Sequence, residues 1–414
     1  MPLGDPHAVS DQLYEHVEDI RSYIEEGDTV ADEYREALLN EHDLSDAAEV
    51  NTALDGAFPN ARPTDEWDTL DALVDPFPEA AEWSAHEESG SWASETLRGL
   101  PAIAIDGSEL EPTDELNVPI GVTQVAWLVN HHQSPPAHEL ETETQVLAPE
   151  DVIVDAGSYS YVDAQQVQHH RYEQEIGTVV NLIERHADLD PPPVVFVDGS
   201  LGVSYANLFS DDVAERYQRA MSELLAASRH HEVPVVGYVA GSRASDIGDM
   251  VQRLNPSALG DGPIARDAAI FAPLLESWGS RTALFVNRRD TSLDALETTY
   301  GGVEYGFGDR LRFCYTNIGA GASLDRLETL AWLPETPAPD ECPGKTMFEY
   351  ALTMVRGEAA VGQGYPEILQ QVDAEAVLTG GDRDSLITML QRLSNHEDLD
   401  IEWNPKAVSK RRRR

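Results

Sequence analysis

Val194-Val195-Phe196-Val197-Asp198-Gly199-Ser200 is four apolar residues closed by Asp-Gly-Ser, and Ala102-Ile103-Ala104-Ile105-Asp106-Gly107-Ser108 repeats that form earlier in the chain. An apolar run with no polar alternation is the pattern of a strand buried on both faces. Each Asp falls where its strand leaves the sheet, and the Gly behind it lets another backbone or a phosphate approach closely. Set side by side, the two strands would bring Asp106 and Asp198 together. Asp-Gly-Ser is also simply a good turn in which the Asp caps the chain.

The surrounding pattern extends outward from these two runs. Val118 to Val129 is strand-like, and a Pro/His/Glu loop is expected at 131–143. Val152 to Ser158 gives a third apolar run, whose Asp155 reads as a turn. Amphipathic helices are predicted at about 163–186 (Ile176, Val179, Val180, Ile183) and about 211–231 (Val213, Tyr217, Met221, Leu224, Leu225). Further strands are predicted at Val233 to Val239 and Leu311 to Thr316. A Pro-rich loop is predicted at 334–343, and late helices at about 346–357 and 366–378. Hairpin strands first, then helix, strand, helix, strand, predict a mixed sheet flanked by helices, an RNase H-like α/β architecture. A plain doubly wound fold would need earlier helices. At the N-terminus, Leu13, Val17, Ile20 and Ile24 make an apolar stripe on a helical arm expected to pack on the body or on a second subunit. Residues 51–66 read as a linker. The expected divisions are an arm and linker at 1–66, a main domain at 67–395, and a tail at 396–414 that ends in a basic run.

The 414 residues include 75 Asp+Glu against 28 Lys+Arg, a net charge of −47, and only three of the cations are Lys. With 41% hydrophobic residues, 7 Trp and 14 Tyr there is material for a core, which excludes whole-chain disorder. Acid on this scale self-repels in dilute salt; at about 1 M salt the Debye length is roughly 3 Å and most of the repulsion is screened. The composition therefore predicts a cytoplasmic protein of a salt-accumulating cell, whose acidity describes its solvent and not its ligand. No apolar run reaches membrane-spanning length, and the first residues lack the pattern of a signal peptide. Cys314 and Cys342 lack the spacing of a metal knuckle or redox pair.

Carboxylates held close repel unless they share a proton or hold a cation, and oxygen-only ligands suit Mg²⁺ or Mn²⁺. The helix before the second Asp-Gly-Ser run offers Glu173, Glu175 and Glu184; the first two flank its apolar face, and spacing alone does not choose between them. Gly364-Tyr365-Pro366 opens a helix that carries Asp373 about two turns on. The His131/His132, His169/His170 and His230/His231 pairs sit in a loop or near helix ends, where ligation is not the expected role. There is no Walker loop and no convincing nucleophilic triad. Arg243, Arg326 and Arg411–Arg414 are the cations available for an anionic partner.

Taken in order, these motifs resemble the NurA domain, an archaeal DNA-end-processing nuclease that works with the HerA hexameric translocase. The resemblance covers roughly 95–380: the two strand-Asp-Gly-Ser motifs, the acidic helix, Gly237-Tyr238-Val239 followed by Ser242-Arg243, Arg326-Leu327-Glu328, and Gly364-Tyr365-Pro366. It implies an RNase H-like fold, a homodimer that encircles DNA, and a Mn²⁺-dependent nuclease, with Mg²⁺ as the alternative ion. Asp106 and Asp198 would be metal ligands from the strands and Glu175, or Glu173, the helix carboxylate. Tyr365 would be the tyrosine beside the scissile phosphate. The family ends this motif in Ala-His, whereas here it is Val372-Asp373, so Asp373 would stand in for the last ligand. Expected activities are 5′–3′ exonuclease or single-strand endonuclease action on broken DNA ends. Two other readings remain open at this point, a scaffold for the translocase that has lost catalysis and an actin-like ATPase.

Overall fold

The computed structural model describes residues 5–83, 86–133, 135, 137–155, 157–289, 297–307, 311–319, 321 and 323–402. The basic run Lys410 to Arg414 lies outside them. The chain opens with α1 (Pro6–Glu15) and α2 (Val17–Leu44). β1 (Ala61–Pro63) follows, then the antiparallel run β2 (Ala102–Leu110), β3 (Gly121–Asn130) and β4 (His138–Leu147). α3 (Gln165–His186), β5 (Val194–Asp198), α4 (Asp211–His231), β6 (Val235–Val239) and α5 (Asp246–Leu254) come next. The rest is β7 (Phe285–Asn287), β8 (Leu311–Thr316), β9 (Asp325–Leu330), α6 (Met347–Val361), α7 (Glu367–Ala376) and α8 (Gly380–Glu397).

The main sheet runs β1-β7-β8-β9-β6-β5-β2-β3-β4, with the short strands Val74–Asp75 and Arg281–Thr282 attached off this path. Within it, β4-β3-β2-β5-β6 is the RNase H-like order: two antiparallel hairpins, then β5 and β6 parallel to β2 through helical crossovers. The fold class expected from the sequence is therefore the one observed. Ile105 pairs with Val197, so the next step of the same register sets Asp106 beside Asp198. The apolar runs of β2 and β5 are buried, as their lack of alternation implied.

Adjacent residues of β3 identify the sheet's two faces. Thr123 donates to Gln174 of α3 at 2.7 Å, while Gln124 donates to the Ala376 carbonyl at the end of α7 at 3.1 Å. Neighbouring side chains on a strand point to opposite sides, so α3 and α7 cover opposite faces. Asp106 shares its face with Ser108, which accepts from the Leu378 amide at 3.0 Å beyond α7. Gly107 and Glu109 look toward α3.

Several expectations need correction. Residues 51–66 are not a linker: they contain β1, an edge strand of the main sheet paired with β7, and Ala61 is fully buried. Pro63 suits the end of such an edge strand, because it needs no ladder donor there. The loop expected at 131–143 ends early, since β4 starts at His138; its residues up to Val146 are exposed and acid-rich, which hides the strand. The third apolar run supplies only Ile153–Asp155, part of a separate two-stranded hairpin with Ser160–Val162. Its Asp155 accepts from the Gly157 amide at 2.8 Å, as a turn residue does.

Candidate active site

The site is built at the carboxyl end of β5 and the middle of β2: Asp198 ends its strand as expected, whereas Asp106 does not, because β2 stays paired with β3 as far as Leu110. Asp198 ends β5, and the backbone leaves it through Gly199 at φ +120, a conformation that favours glycine. Gly237 of β6 makes the next turn possible: a Cβ there would lie 2.7 Å from the Gly199 carbonyl and 2.9 Å from Leu201. The loop that follows is fastened by buried Glu328 of β9. One of its carboxylate oxygens accepts from the Ser200 hydroxyl at 2.7 Å, the Leu201 amide at 2.8 Å and the Gly202 amide at 3.2 Å.

Tyr365 enters from the turn before α7 with its hydroxyl toward the Asp198 carboxylate, where it lowers the Asp198 pKa. Its ring meets Tyr238 edge-on at 5.3 Å, and the Tyr238 hydroxyl donates to Asp325 at 2.5 Å. Glu358 of α6 holds that turn in place. One of its oxygens accepts from the Ile368 amide at 2.9 Å and the other lies 2.7 Å from His132 Nε2, while His132 Nδ1 is 2.6 Å from the Leu100 carbonyl. Burial alone would depress the His132 pKa, but Glu358 and the Leu100 carbonyl outweigh it and hold it above the ordinary value.

Asp106, Asp198 and Asp373 are near enough for their charges to interact. Burial pushes Asp106 up to about 6; the Gly107 amide opposes this, and the charges of Asp198 and Asp373 add to it. Asp198 is raised by burial and by Asp373, against the stabilising Tyr365 hydroxyl. Glu175 arrives from the other face. Its carboxylate lies against Gly107, where any Cβ would collide with it, and it pairs with Arg171 one turn earlier. Arg171 also reaches Glu109 at 2.7 Å and the Gly107 carbonyl at 3.2 Å. Burial drives Glu175 up to about 7, opposed by Arg171 and reinforced by Asp106. Glu173 points away and binds Arg216 at 2.9 Å, which lowers its pKa. A cavity of about 220 Å³ joins Asp106, Asp198 and Glu175 to Tyr172 and Tyr205.

Among the described residues, no three His, Cys, Asp or Glu side chains gather closely enough to form a ready metal cage. The donors are all carboxylate oxygens, the kind a hard divalent cation takes. The histidine pairs have other partners: His169 Nδ1 is 3.0 Å from the Tyr217 hydroxyl and His230 Nδ1 is 2.9 Å from that of Tyr305. Arg326 corrects the expectation of a DNA contact. It is 3% exposed, bonds Asp246 and Glu328 at 2.7 Å each, and lies 3.7 Å over the Phe313 ring. Arg243, by contrast, is exposed. Sequence reading missed Arg171, Glu328 and the His132–Glu358 pair. Only the i, i+4 spacing of Arg171 and Glu175 could have pointed to one of them.

An RNase H-like sheet with acidic side chains side by side on its two adjoining parallel strands defines the class of this protein. The family model for the NurA domain matches residues 101–378, and the chain belongs to that family. Its members are nucleases that act on DNA, so this chain is a DNA nuclease in general terms. No curated protein sequence matches it significantly. No helix among the described residues is long and apolar enough to cross a membrane.

Proposed function

We propose that the chain is a divalent-metal-dependent deoxyribonuclease that trims broken DNA ends, by 5′–3′ exonuclease or single-strand endonuclease action. The observation that carries this reading is the pairing of Asp106 and Asp198 by strand register. Asp106, Asp198 and Asp373 would hold the cation, Mn²⁺ or Mg²⁺, with Glu175 as the fourth carboxylate beside Gly107. When bound, such an ion supplies a hydroxide nucleophile near neutral pH and neutralises the leaving oxygen. The chain's own part is positional. Glu328 sets the loop after Asp198, Glu358 sets the turn carrying Tyr365, and Arg171 restrains Glu175 against β2. In this reading the protein is a cytoplasmic homodimer from a high-salt cell and works with a HerA-type hexameric translocase.

The test is cleavage of a labelled single-stranded oligonucleotide in about 2 M KCl with Mn²⁺ or Mg²⁺, comparing wild type with Asp198→Ala. Wild type should cut, and the folded variant should lose cleavage by at least about a hundredfold. A folded wild type that cuts with neither ion, alone or with the translocase, would overturn the proposal and favour a scaffold.

A further inference from the structure

A cleft of about 850 Å³ lies between α2 and the loop that follows β6. Asp28, Asp32 and Arg35 line it from one face of α2, and Ser242, Arg243 and Arg266 line it from the body. Three arginines face two aspartates in this lining, whereas acids outnumber bases by 75 to 28 over the whole chain. Most arginines here are consumed by a neighbouring carboxylate, as Arg171, Arg216, Arg281 and Arg326 are. Arg243 and Arg266 are exposed and have no ion-pair or hydrogen-bond partner among the described residues. Arg35 pairs with Asp32 through Nη2, but its Nη1 is buried with no protein acceptor. A buried donor without a partner is rare in a native fold and marks a place for an acceptor from outside.

The frame under these arginines is rigid. Asp267, fully buried next to Arg266, accepts from the Asp246 and Gly248 amides at 2.9 Å each, and its own amide donates to the Ala244 carbonyl at 2.9 Å. The backbones carrying Arg243 and Arg266 are thereby tied together. A chain of contacts links the cleft to the candidate active site. Tyr365 on Asp198 packs on Tyr238, Tyr238 bonds Asp325, and the other oxygen of Asp325 accepts from the Gly241 amide at 2.8 Å at the cleft wall.

We propose that this cleft binds the phosphodiester backbone of the DNA strand being cut, with Arg35, Arg243 and Arg266 as the phosphate ligands, so that the N-terminal arm forms one wall of the substrate path. This rests on the nuclease reading above. Guanidinium forks match phosphate oxygens in a bidentate way that a lysine ammonium does not. In molar salt the counterion-release contribution to DNA affinity is small, so directed hydrogen bonds of this type carry more of the binding. That favours arginine on a fixed frame over a diffuse basic surface.

The test is fluorescence anisotropy with a labelled single-stranded oligonucleotide in 2 M KCl and EDTA, so that binding is read without cleavage. The Arg243→Ala/Arg266→Ala double variant should bind about tenfold more weakly or worse. Arg243→Lys/Arg266→Lys should fall between it and wild type. With metal restored, the alanine variant should show a raised KM and a kcat within about threefold of wild type. Affinity within twofold of wild type in the folded alanine variant would overturn the cleft assignment, and would point to a protein partner for these arginines instead. The nuclease reading is judged separately, because Asp198→Ala should bind the oligonucleotide normally while failing to cut it.

Discussion

Gly107 shows how one missing side chain shapes the candidate site. It follows Asp106 on β2, faces α3, and leaves the space that the Glu175 carboxylate fills. Gly107→Ala would therefore displace a flexible carboxylate and not a packed core. The fold should tolerate it at about 1 kcal/mol, since the colliding atoms belong to the far end of Glu175. Cleavage should fall by tenfold or more if Glu175 takes part, because displacement of a catalytic group by about 1 Å can cost a hundredfold. Thermal melting and a cleavage assay on the same preparation check this; a folded variant with full activity would remove Glu175 from the site.

At the level of elements, α7 depends on its anchoring to α6. Because the Leu100 carbonyl can only accept, His132 Nδ1 must carry a proton. Nε2 donates to the Glu358 carboxylate when the ring is the imidazolium, the form that Glu358 favours. Glu358→Gln can still hold both partners, with the amide NH₂ donating to the neutral His132 ring and the amide oxygen accepting from the Ile368 amide. Glu358→Ala leaves His132 Nε2 and the Ile368 amide without a partner in a buried site. The alanine variant should lose about 2–4 kcal/mol of stability and most activity, whereas glutamine should retain much of both. Chemical denaturation and kcat measurements on the pair separate these outcomes. Equal losses in the two variants would show that the carboxylate charge itself is required.

The same contrast explains what could be read from the sequence. Strands and helices were legible where apolar runs and amphipathic stripes report burial directly; Asp211–His231 and Leu311–Thr316 match their predicted spans. β9 was not legible as a strand, since Asp325, Arg326 and Glu328 are buried there as a satisfied polar network and not as apolar residues. β4 was hidden for the opposite reason. It is an exposed sheet edge carrying Glu139, Glu141 and Glu143 along one side, which discourages edge pairing with another chain. For the candidate site, the spacing suggested Asp106 and Asp198 as neighbours. The arrival of Glu175 from the opposite face depends on strand register and helix docking, which spacing alone does not encode.

Over the whole molecule, a net charge of −47 makes the solvent part of the stability. The melting temperature should climb by ten degrees or more between about 0.2 and 3 M KCl, as screening shortens the range of repulsion. A melting temperature independent of KCl would show that the acidic surface serves some purpose other than solvation in salt.

The placement of β1 at the far edge of the sheet also bears on how the chain is made. Ala61 pairs with Asn287, more than two hundred residues later. At translation rates of about 5–20 residues per second, that separation is tens of seconds or less. Until β7 leaves the ribosome, β1 has no neighbouring strand, and Trp67 lacks the Phe285 ring it packs against at 6.5 Å. The β2–β6 region can close its own ladder well before then. The segment around β1 is thus among the last to be seated although it is made well before its partner, and it must stay soluble while it waits. An acid-rich helical arm is well suited to that interval.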